Sequence, residues 1–312
     1  MSLPFLFLGY APYAAMSSTF YLAGPTAVGK SELAVAVAER LGAEIVGCDA
    51  FQLYKGLPIL TAQPGPELQR RVKHHVVGII PLSDSFDAAR FVKCANSAIE
   101  EIHGRERHAL IVGGSGMYLR ALTHGLAELP QADLRLRGEL EALSLEDLCN
   151  VLQRLDPAYY LQVDKKNPRR LIRALEVCLL TGRGYSELRK EWEQPSTRLR
   201  GILLTRDRDV LNERIEHRVE AMFRSGVIEE VRSAGYVLGT AAKTIGFATI
   251  QRVLMGELNE SAAVAEIQQA TRQYAKRQMT WFRREDWLTP FALDGGSALS
   301  AVADAVVDAL TG

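Results

Sequence analysis

A phosphate-binding loop near the amino terminus constrains the fold of this chain more than any other feature. Residues 24 to 31 read GPTAVGKS, which satisfies the pattern GxxxxGK[ST] at every fixed position. The apolar run from Thr19 to Ala23 predicts a short buried strand before the loop, and the stretch from Glu32 to Leu41 predicts a helix after it. A strand, this loop and a helix in that order predict a parallel α/β core that binds a diphosphate group.

Each residue of this loop is a candidate for diphosphate binding. Successive backbone N–H groups and the positive end of the following helix would face the phosphates. Lys30 would add a mobile cation, and the Ser31 hydroxyl would be a ligand for Mg2+. A glycine-rich turn that ends in Lys-Ser by chance is the alternative. The candidates are Gly24, Pro25, Thr26, Ala27, Val28, Gly29, Lys30 and Ser31.

The composition is that of a globular protein. The chain has 312 residues, of which 47% are hydrophobic and 24% are charged, and its formal net charge is zero. Any attraction to nucleic acid must therefore come from local basic patches. Four cysteines without a CxxC pair favour neither a zinc cluster nor a disulfide framework, so a reduced cytoplasmic protein is expected. No apolar run approaches the roughly 20 residues of a membrane span, and residues 1–16 are expected to be a disordered lead-in, with Met16 as an alternative start.

Two further predicted strands end near the same site. Residues 43–48 lead into Asp49, and residues 109–112 lead into the turn Gly113-Gly114-Ser115-Gly116. The carboxyl ends of parallel strands line one crevice, so Asp49 is a candidate active-site carboxylate, with a capping Asp as the alternative. Many nucleotide hydrolases hold their metal with an Asp where this chain has the glycine-rich turn, which argues against hydrolysis. The turn would approach a ligand closely and expose the Ser115 hydroxyl at the crevice rim, unless it is a plain tight turn.

Basic residues occur in three clusters. A strand-free, leucine-rich stretch from residue 130 to about 195 predicts a helical insertion, and its segment from Lys165 to Arg173 has five basic residues and no acid. There, Arg169 and Arg173 would lie on one helix face and could grip a polyanion, although a solvated basic face is the alternative. On a later helix, Arg214 and Arg218 have the same spacing and suit a diphosphate clamp. Salt bridges to Glu213 or Glu220 would explain them equally well.

The third cluster lies near the end of the chain. Residues 272–284 contain five basic residues, three aromatic residues and no acid. Interleaved cations and rings are typical of a nucleic-acid surface, where charge meets the backbone and rings stack on bases. A partly buried amphipathic helix is the alternative.

Taken together, six segments resemble those of the bacterial tRNA dimethylallyltransferases from about Thr19 to Phe282. They are the phosphate loop, DAFQLYKG at 49–56 with TAQP at 61–64, GGSGMY at 113–118, NPRRLIRALEV at 167–177, IGF at 245–247 and AKRQMTWFR at 275–283. The resemblance implies transfer of a dimethylallyl group from dimethylallyl diphosphate to the exocyclic amine of the adenosine 3' of the tRNA anticodon. The phosphate loop would then hold a prenyl diphosphate rather than ATP.

The resemblance also implies roles for individual residues. Asp49 would be the general base, Ser115 would donate to the bridging oxygen of the leaving diphosphate, and Lys30 and Arg218 would neutralise its charge with Mg2+ on Ser31. The sequence departs from the family pattern at Ala50 and Ser115, where the family usually has Ser and Thr. It also departs at Gly246-Phe247-Ala248, where the family usually has Gly-Tyr followed by a basic or polar residue. The implied tRNA-binding residues are Asp49, Ala50, Phe51, Gln52, Arg169, Arg170, Leu171, Ile172, Arg173, Lys243, Ile245, Gly246, Phe247, Lys276 and Arg277.

The predicted fold class is α/β, a P-loop NTPase-like parallel sheet with an all-helical insertion. Residues 17–125 and 200–312 would form the catalytic core, and residues 126–199 the insertion that contacts tRNA. The expected protein is a cytoplasmic monomer with no membrane partner. An adenylate prenyltransferase would share the core without needing the insertion or the basic tail, a P-loop small-molecule kinase would share only the loop, and an RNA-binding module would not need Asp49.

Overall fold

The computed structural model describes residues 17–126, 129–131, 133–190 and 199–312. The described chain forms two compact units, one from residues 17–119 and 199–312 and one from residues 120–190. The expected lead-in at 1–16 and the last part of the expected helical stretch lie outside the described residues. No helix in the described ranges is both long and apolar enough to cross a membrane.

The larger unit is built on a six-stranded sheet in which every neighbouring pair is parallel, in the order β3-β2-β4-β1-β5-β6. The predicted α/β class is therefore confirmed. The strands are β1 (Thr19–Ala23), β2 (Ala43–Cys48), β3 (His74–His75), β4 (His108–Gly113), β5 (Gly201–Thr205) and β6 (Leu288–Ala292).

The three strands that lead into the candidate site are neighbours, and their carboxyl ends are level. Gly113 at the end of β4 lies opposite Ala23 of β1 on one side and Cys48 of β2 on the other. The phosphate loop, Asp49 and the glycine-rich turn therefore begin side by side at one edge of the sheet, where ligands bind in open parallel sheets.

Helices cover the sheet and supply most of the remaining site residues. The helix after the phosphate loop buries an apolar face that includes Leu33, Val35 and Val37 in the main core. The helices of this unit are α1 (Lys30–Leu41), α2 (Pro58–Thr61), α3 (Pro66–Arg71), α4 (Ala88–His103), α5 (Gly116–His124, which ends in the second unit), α11 (Arg208–Arg224), α12 (Val227–Ser233), α13 (Phe247–Leu254), α14 (Glu260–Phe282) and α15 (Leu299–Thr311), with a 3-10 turn at Ala241–Lys243.

The second unit consists of short helices around its own apolar core. Polar side chains define the helix starts: Asp133, Ser144, Asp156 and Asn167 each accept a backbone N–H of the first helical turn. Residues from four of the helices, among them Leu148, Leu152, Leu171 and Leu175, form the core. The helices are α6 (Leu134–Glu141), α7 (Leu145–Leu155), α8 (Pro157–Gln162), α9 (Pro168–Thr181) and α10 (Tyr185–Lys190).

Candidate active site

The phosphate loop lies between β1 and α1, with the Lys30 ammonium turned back onto the loop. Lys30 Nζ donates to the carbonyl oxygens of Gly24 at 2.8 Å and Pro25 at 2.7 Å. Burial lowers the pKa of Lys30 to about 8, against the opposing effect of the Asp49 charge and with the help of Arg218. The loop therefore holds a cation whose solvation is incomplete, as expected of a site that accepts an anion.

Arg214 and Arg218 on α11 both bind the phosphate loop. Arg214 Nε donates to the carbonyl of Ala27 at 2.8 Å, and Arg218 Nη1 donates to Thr26 Oγ1 at 2.7 Å. Among the described residues, neither arginine forms a salt bridge to Glu213 or Glu220, so that alternative does not account for them. Burial lowers the pKa of Arg218, and its Nε is buried without a hydrogen-bond partner in the described structure. The arginines are thus placed where a diphosphate clamp requires them, and the clamp stays a prediction.

Asp49 follows β2 and faces the same cleft as the phosphate loop. Its Oδ1 accepts backbone N–H groups from Phe51 at 2.9 Å and from Gln52 at 3.4 Å. These two bonds orient the carboxylate, and its second oxygen receives no hydrogen bond from the residues that the structure describes. The carboxylate therefore combines a local turn-capping contact with an oxygen that is available to a ligand.

A cleft of about 280 Å3 brings these groups together. Its wall includes most of the loop from Thr26 to Ser31 and residues 61–65 from α2 and the segment after it. Gln52 holds that segment, because its Nε2 donates to the Ala62 carbonyl at 2.7 Å. The catalytic and clamp candidates that line the cleft are Lys30, Ser31, Asp49, Arg214 and Arg218.

A smaller apolar cleft of about 40 Å3 adjoins the first, because Thr26, Asp49 and Arg218 line both. Phe51 and Ile245, two predicted tRNA-binding residues, contribute to its wall. The Thr244 hydroxyl, which the motif analysis passed over, also lines it and is buried without a partner among the described residues.

Ser115 is placed differently from the expectation. It is partly buried and lies outside both clefts. Its Oγ accepts the N–H of Ala50 at 2.8 Å. Burial and the Asp49 charge raise the pKa of Tyr274, and the Ser115 side chain opposes that rise. In this state the Ser115 oxygen joins the turn to the segment after β2, and the donation of its O–H to a ligand stays a prediction. Tyr274, which lines the smaller cleft, is a site residue that the sequence analysis did not single out.

In the helical unit, the basic run separates into exposed and structural residues. Arg169 and Arg170 are exposed, but Leu171 and Ile172 are buried in the apolar core. Apolar packing against neighbouring helices encloses their side chains, so in this structure only their backbone could contact RNA, and their assignment to tRNA binding stays a prediction.

Arg173, the other predicted member of that run, binds within its own unit. It donates to the fully buried carboxylate of Glu176 at 2.8 Å and to the Pro130 carbonyl at 3.0 Å. Arg137 donates to the same Glu176 oxygen at 2.7 Å. Arg173 therefore forms a structural ion pair, whereas Arg169, which lies on the same helix, is exposed.

Two other tRNA-binding candidates also present backbone rather than side chain. Phe247 is buried at the start of α13, and Gly246 precedes it with φ of 90°, so neither exposes a side chain to a ligand. Lys243 is exposed in the 3-10 turn that leads to them, so its side chain stays a candidate for tRNA binding.

The carboxyl-terminal half of α14 is amphipathic. Lys276 and Arg277 are exposed, as a polyanion contact requires. The aromatic residues, however, do not form a stacking surface, because Phe282 is only 1% exposed and Trp281 packs against Gly116. Between them, Gln278 is buried and contacts two site loops. A partly buried amphipathic helix, the alternative given above, thus accounts for the packing of Phe282 and Trp281. The exposed cations stay candidates for RNA binding.

Comparisons with known proteins point to the same family over nearly the whole chain. Residues 52–285 match the family model described as IPP transferase. The chain is 41% identical over 292 residues to the tRNA dimethylallyltransferase of Akkermansia muciniphila, which covers 94% of this chain and 99% of the relative. It is 43% identical over 273 residues to the tRNA dimethylallyltransferase of Geobacter metallireducens, covering 84% of this chain and 88% of the relative.

Solved structures show the same relationship. The full-length tRNA isopentenylpyrophosphate transferase of Bacillus halodurans matches with a TM-score of 0.69 and 33% identity, covering 94% of this chain and 97% of that one. A eukaryotic dimethylallyltransferase acting on tRNA matches with a TM-score of 0.76 and 25% identity, covering 88% of this chain and 74% of that one. The resemblance predicted from the motifs is confirmed, and the chain belongs to the IPP transferase family.

Proposed function

We propose that this protein is a tRNA dimethylallyltransferase, which transfers a dimethylallyl group from dimethylallyl diphosphate to the exocyclic amine of the adenosine 3' of the anticodon. The observation that carries the proposal is the composition of one cleft. Asp49 lies in the same cleft as the phosphate loop, Lys30 and Arg218. A proton acceptor and an anion site are thereby adjacent, as an alkyl transfer from a diphosphate requires.

The reaction breaks one carbon–oxygen bond and forms one carbon–nitrogen bond. The bond between the allylic carbon and the bridging oxygen breaks, and its electron pair leaves with diphosphate. The adenine nitrogen supplies the pair for the new bond and loses one proton. We assign that proton to Asp49, whose carboxylate is oriented by the N–H groups of Phe51 and Gln52.

Stabilising the leaving diphosphate is the main task of the loop residues. An aromatic amine is a weak nucleophile, so the transition state carries much of its negative charge on the departing oxygens. Lys30, Arg214 and Arg218 supply cations at the loop, and backbone N–H groups at the start of α1 supply fixed dipoles. To bind diphosphate, the Lys30 ammonium would exchange the carbonyls of Gly24 and Pro25 for phosphate oxygens.

The residues at the loop fit a magnesium ion that is held mainly by substrate. The described residues contain no group of three or more His, Cys, Asp or Glu side chains arranged to hold a metal. Mg2+ is commonly bound through one or two protein oxygens together with phosphate oxygens and water. Ser31 Oγ would be the protein ligand, and the bound ion would add positive charge at the diphosphate.

Ser115 supports the reaction from behind the cleft in this proposal. Its bond to the Ala50 N–H fixes the segment that carries Asp49. Donation to the bridging oxygen, the role implied by the family resemblance, would use the O–H of Ser115, which the bond to Ala50 does not employ.

The acceptor must leave its stack to reach Asp49, at a cost of a few kcal/mol. We assign the compensating contacts with the tRNA backbone to exposed cations in each unit: Arg169 and Arg170 on α9, and Lys276 and Arg277 on α14. We propose a monomer, in which one chain supplies the phosphate loop, Asp49 and both clamp arginines of the main cleft. We place it in the cytoplasm because its proposed substrate is tRNA.

The decisive experiment offers radiolabelled dimethylallyl diphosphate and Mg2+ to the purified protein with unmodified tRNA or with AMP, and follows ATP consumption separately. We expect label in tRNA alone. A transcript with guanosine in place of the acceptor adenosine is the matched control and should stay unlabelled. Label only in AMP would identify an adenylate prenyltransferase, and ATP turnover without prenyl transfer would identify a kinase; either would refute the proposal.

A further inference from the structure

The side chain of Gln278 joins two loops of the candidate active site. Its Oε1 accepts the N–H of Thr26 at 2.8 Å, and its Nε2 donates to the carbonyl of Gly114 at 2.8 Å. Only 5% of the residue is exposed. One amide therefore bridges the phosphate loop after β1 and the glycine-rich turn after β4, and the chemical identity of its two partners fixes the orientation of the amide.

This bridge is continuous with the groups that face the substrate. Thr26 binds Gln278 through its backbone and Arg218 through its hydroxyl, the latter at 2.7 Å. On the other side, Ser115 follows Gly114 and accepts the N–H of Ala50, which itself follows Asp49. Movement of Gln278 would thus be transmitted to the leaving-group clamp and to the segment that carries the carboxylate.

Two of the three glycines in the turn, Gly114 and Gly116, are required by its packing against α14. A Cβ atom at Gly114 would lie 2.3 Å from Gln278 Nε2, and one at Gly116 would lie 2.1 Å from the Trp281 ring. Contacts this short do not occur for real side chains, so glycine is required for the turn to approach the helix. The turn is shaped against two side chains that lie almost one helical turn apart on α14.

We propose that Gln278 is a positioning residue for prenyl transfer, which sets the distance between the phosphate loop and the glycine-rich turn without touching either substrate. This inference rests on the proposed function for the reaction that it serves. The proposed role of Gln278 differs from that of its neighbours Lys276 and Arg277, which are exposed and are candidates for RNA binding. The buried amide instead uses its acceptor and donor on the enzyme's own backbone.

Substitution by Glu provides a test that general damage to the fold would not reproduce. A protonated Glu has one acceptor and one O–H donor and is nearly isosteric with Gln, whereas the carboxylate has no donor and would place a charge against the Gly114 carbonyl. The single-turnover rate of Gln278→Glu at saturating substrates should approach that of the parent near pH 5.5. Relative to the parent, it should fall about tenfold or more by about pH 8.5.

The single-turnover rate of Gln278→Leu should be about tenfold or more below that of the parent at every pH, and its Kd for tRNA should be unchanged. The matched controls are Gln269→Glu and Gln269→Leu, which make the same changes at an exposed position of the same helix. They should follow the pH profile of the parent.

A second readout is independent of prenyl transfer. Calorimetry should show that Gln278→Leu binds magnesium pyrophosphate about tenfold or more weakly than the parent does. Gln269→Leu should bind it with the affinity of the parent. If the parent transfers no label to tRNA, the proposed function fails, and the calorimetry still tests the bridge. Three results would each overturn the inference. The first is a Gln278→Leu variant with the transfer rate and pyrophosphate affinity of the parent, and the second is a change in that variant confined to its Kd for tRNA. The third is a pH–rate profile of Gln278→Glu that is parallel to that of the parent.

Discussion

Lys30 is expected to lower the stability of the ligand-free protein at neutral pH. Burial lowers the pKa of this lysine from 10.5 to about 8. Between these two values the folded protein binds fewer protons at Lys30 than the unfolded chain does, so its stability rises with pH. The destabilisation is complete below the folded pKa and disappears above the unfolded one. A site prepared for an anion thus carries a cost while the anion is not bound.

The size of this effect follows from the shift. At one pKa unit per about 1.4 kcal/mol, a change from 10.5 to about 8 costs about 3 kcal/mol at pH 7. With the same two pKa values, the destabilisation falls to about 1.4 kcal/mol at pH 9.5. Lys30→Met carries no such proton, so its stability relative to the parent should be about 2 kcal/mol greater at pH 7 than at pH 9.5. Residual solvent contact of the partly buried side chain makes this an upper value.

Urea unfolding at both pH values, with EDTA and without diphosphate, measures the difference directly. The fluorescence of Trp281 and Trp287 reports on the unit that contains the site. Lys55→Met removes an exposed lysine and should change stability equally at the two pH values. If the difference between Lys30→Met and the parent is also the same at both, the assignment of a desolvated Lys30 is wrong.

Three further predictions address the carboxylate, the turn and the helical unit. Asp49→Asn should lower the single-turnover rate at least tenfold, about 1.4 kcal/mol, with tRNA binding retained; a parent-like rate would remove Asp49 as the base. Gly116→Ala forces a Cβ to within 2.1 Å of an indole ring and should cost about 1–3 kcal/mol in calorimetric unfolding, whereas Gly138→Ala, with open space around it, should be neutral or stabilising; equal losses would contradict the packing argument. Arg173→Met removes one of two guanidinium partners of a buried carboxylate and should destabilise the helical unit by about 1.5–3 kcal/mol, while Arg169→Met, which is exposed, should weaken tRNA binding without that loss; the reverse pattern would restore Arg173 as the RNA contact.

The elements around the phosphate loop could be predicted from the sequence because their signals are local. The predicted strand at residues 19–23 coincides with β1, and the helix predicted from Glu32 begins two residues earlier, at Lys30. Asp49 was located because a carboxylate after a buried strand of a parallel sheet must lie at the ligand edge. These inferences need only the neighbouring residues and the chirality of parallel sheets, so distant parts of the chain could not overturn them.

Burial of polar and mixed segments was harder to predict. The run at 165–173 suggests one basic surface, yet its helix has two faces, and the fold turns Leu171 and Ile172 inward. The partner of Arg173 is Glu176, three residues later on the same helix, and this spacing could have suggested the ion pair. Ser115 was assigned to the crevice because the sequence does not show that its oxygen accepts the N–H of Ala50, 65 residues away in the chain.

Gln278 shows which part of this problem the sequence can answer. Along α14 the buried positions Ile267, Thr271, Ala275, Gln278 and Phe282 recur every three or four residues, so the amide lies on the inward stripe of an amphipathic helix. A polar group on such a stripe must be hydrogen-bonded, which predicts that Gln278 has buried partners. Their identity cannot be predicted from the helix, because they are 252 and 164 residues away in the chain. The same segment therefore looks like a basic surface in the sequence, while in the folded protein Gln278 and Trp281 pack against the phosphate loop and the glycine-rich turn, and the exposed Lys276 and Arg277 stay candidates for RNA binding.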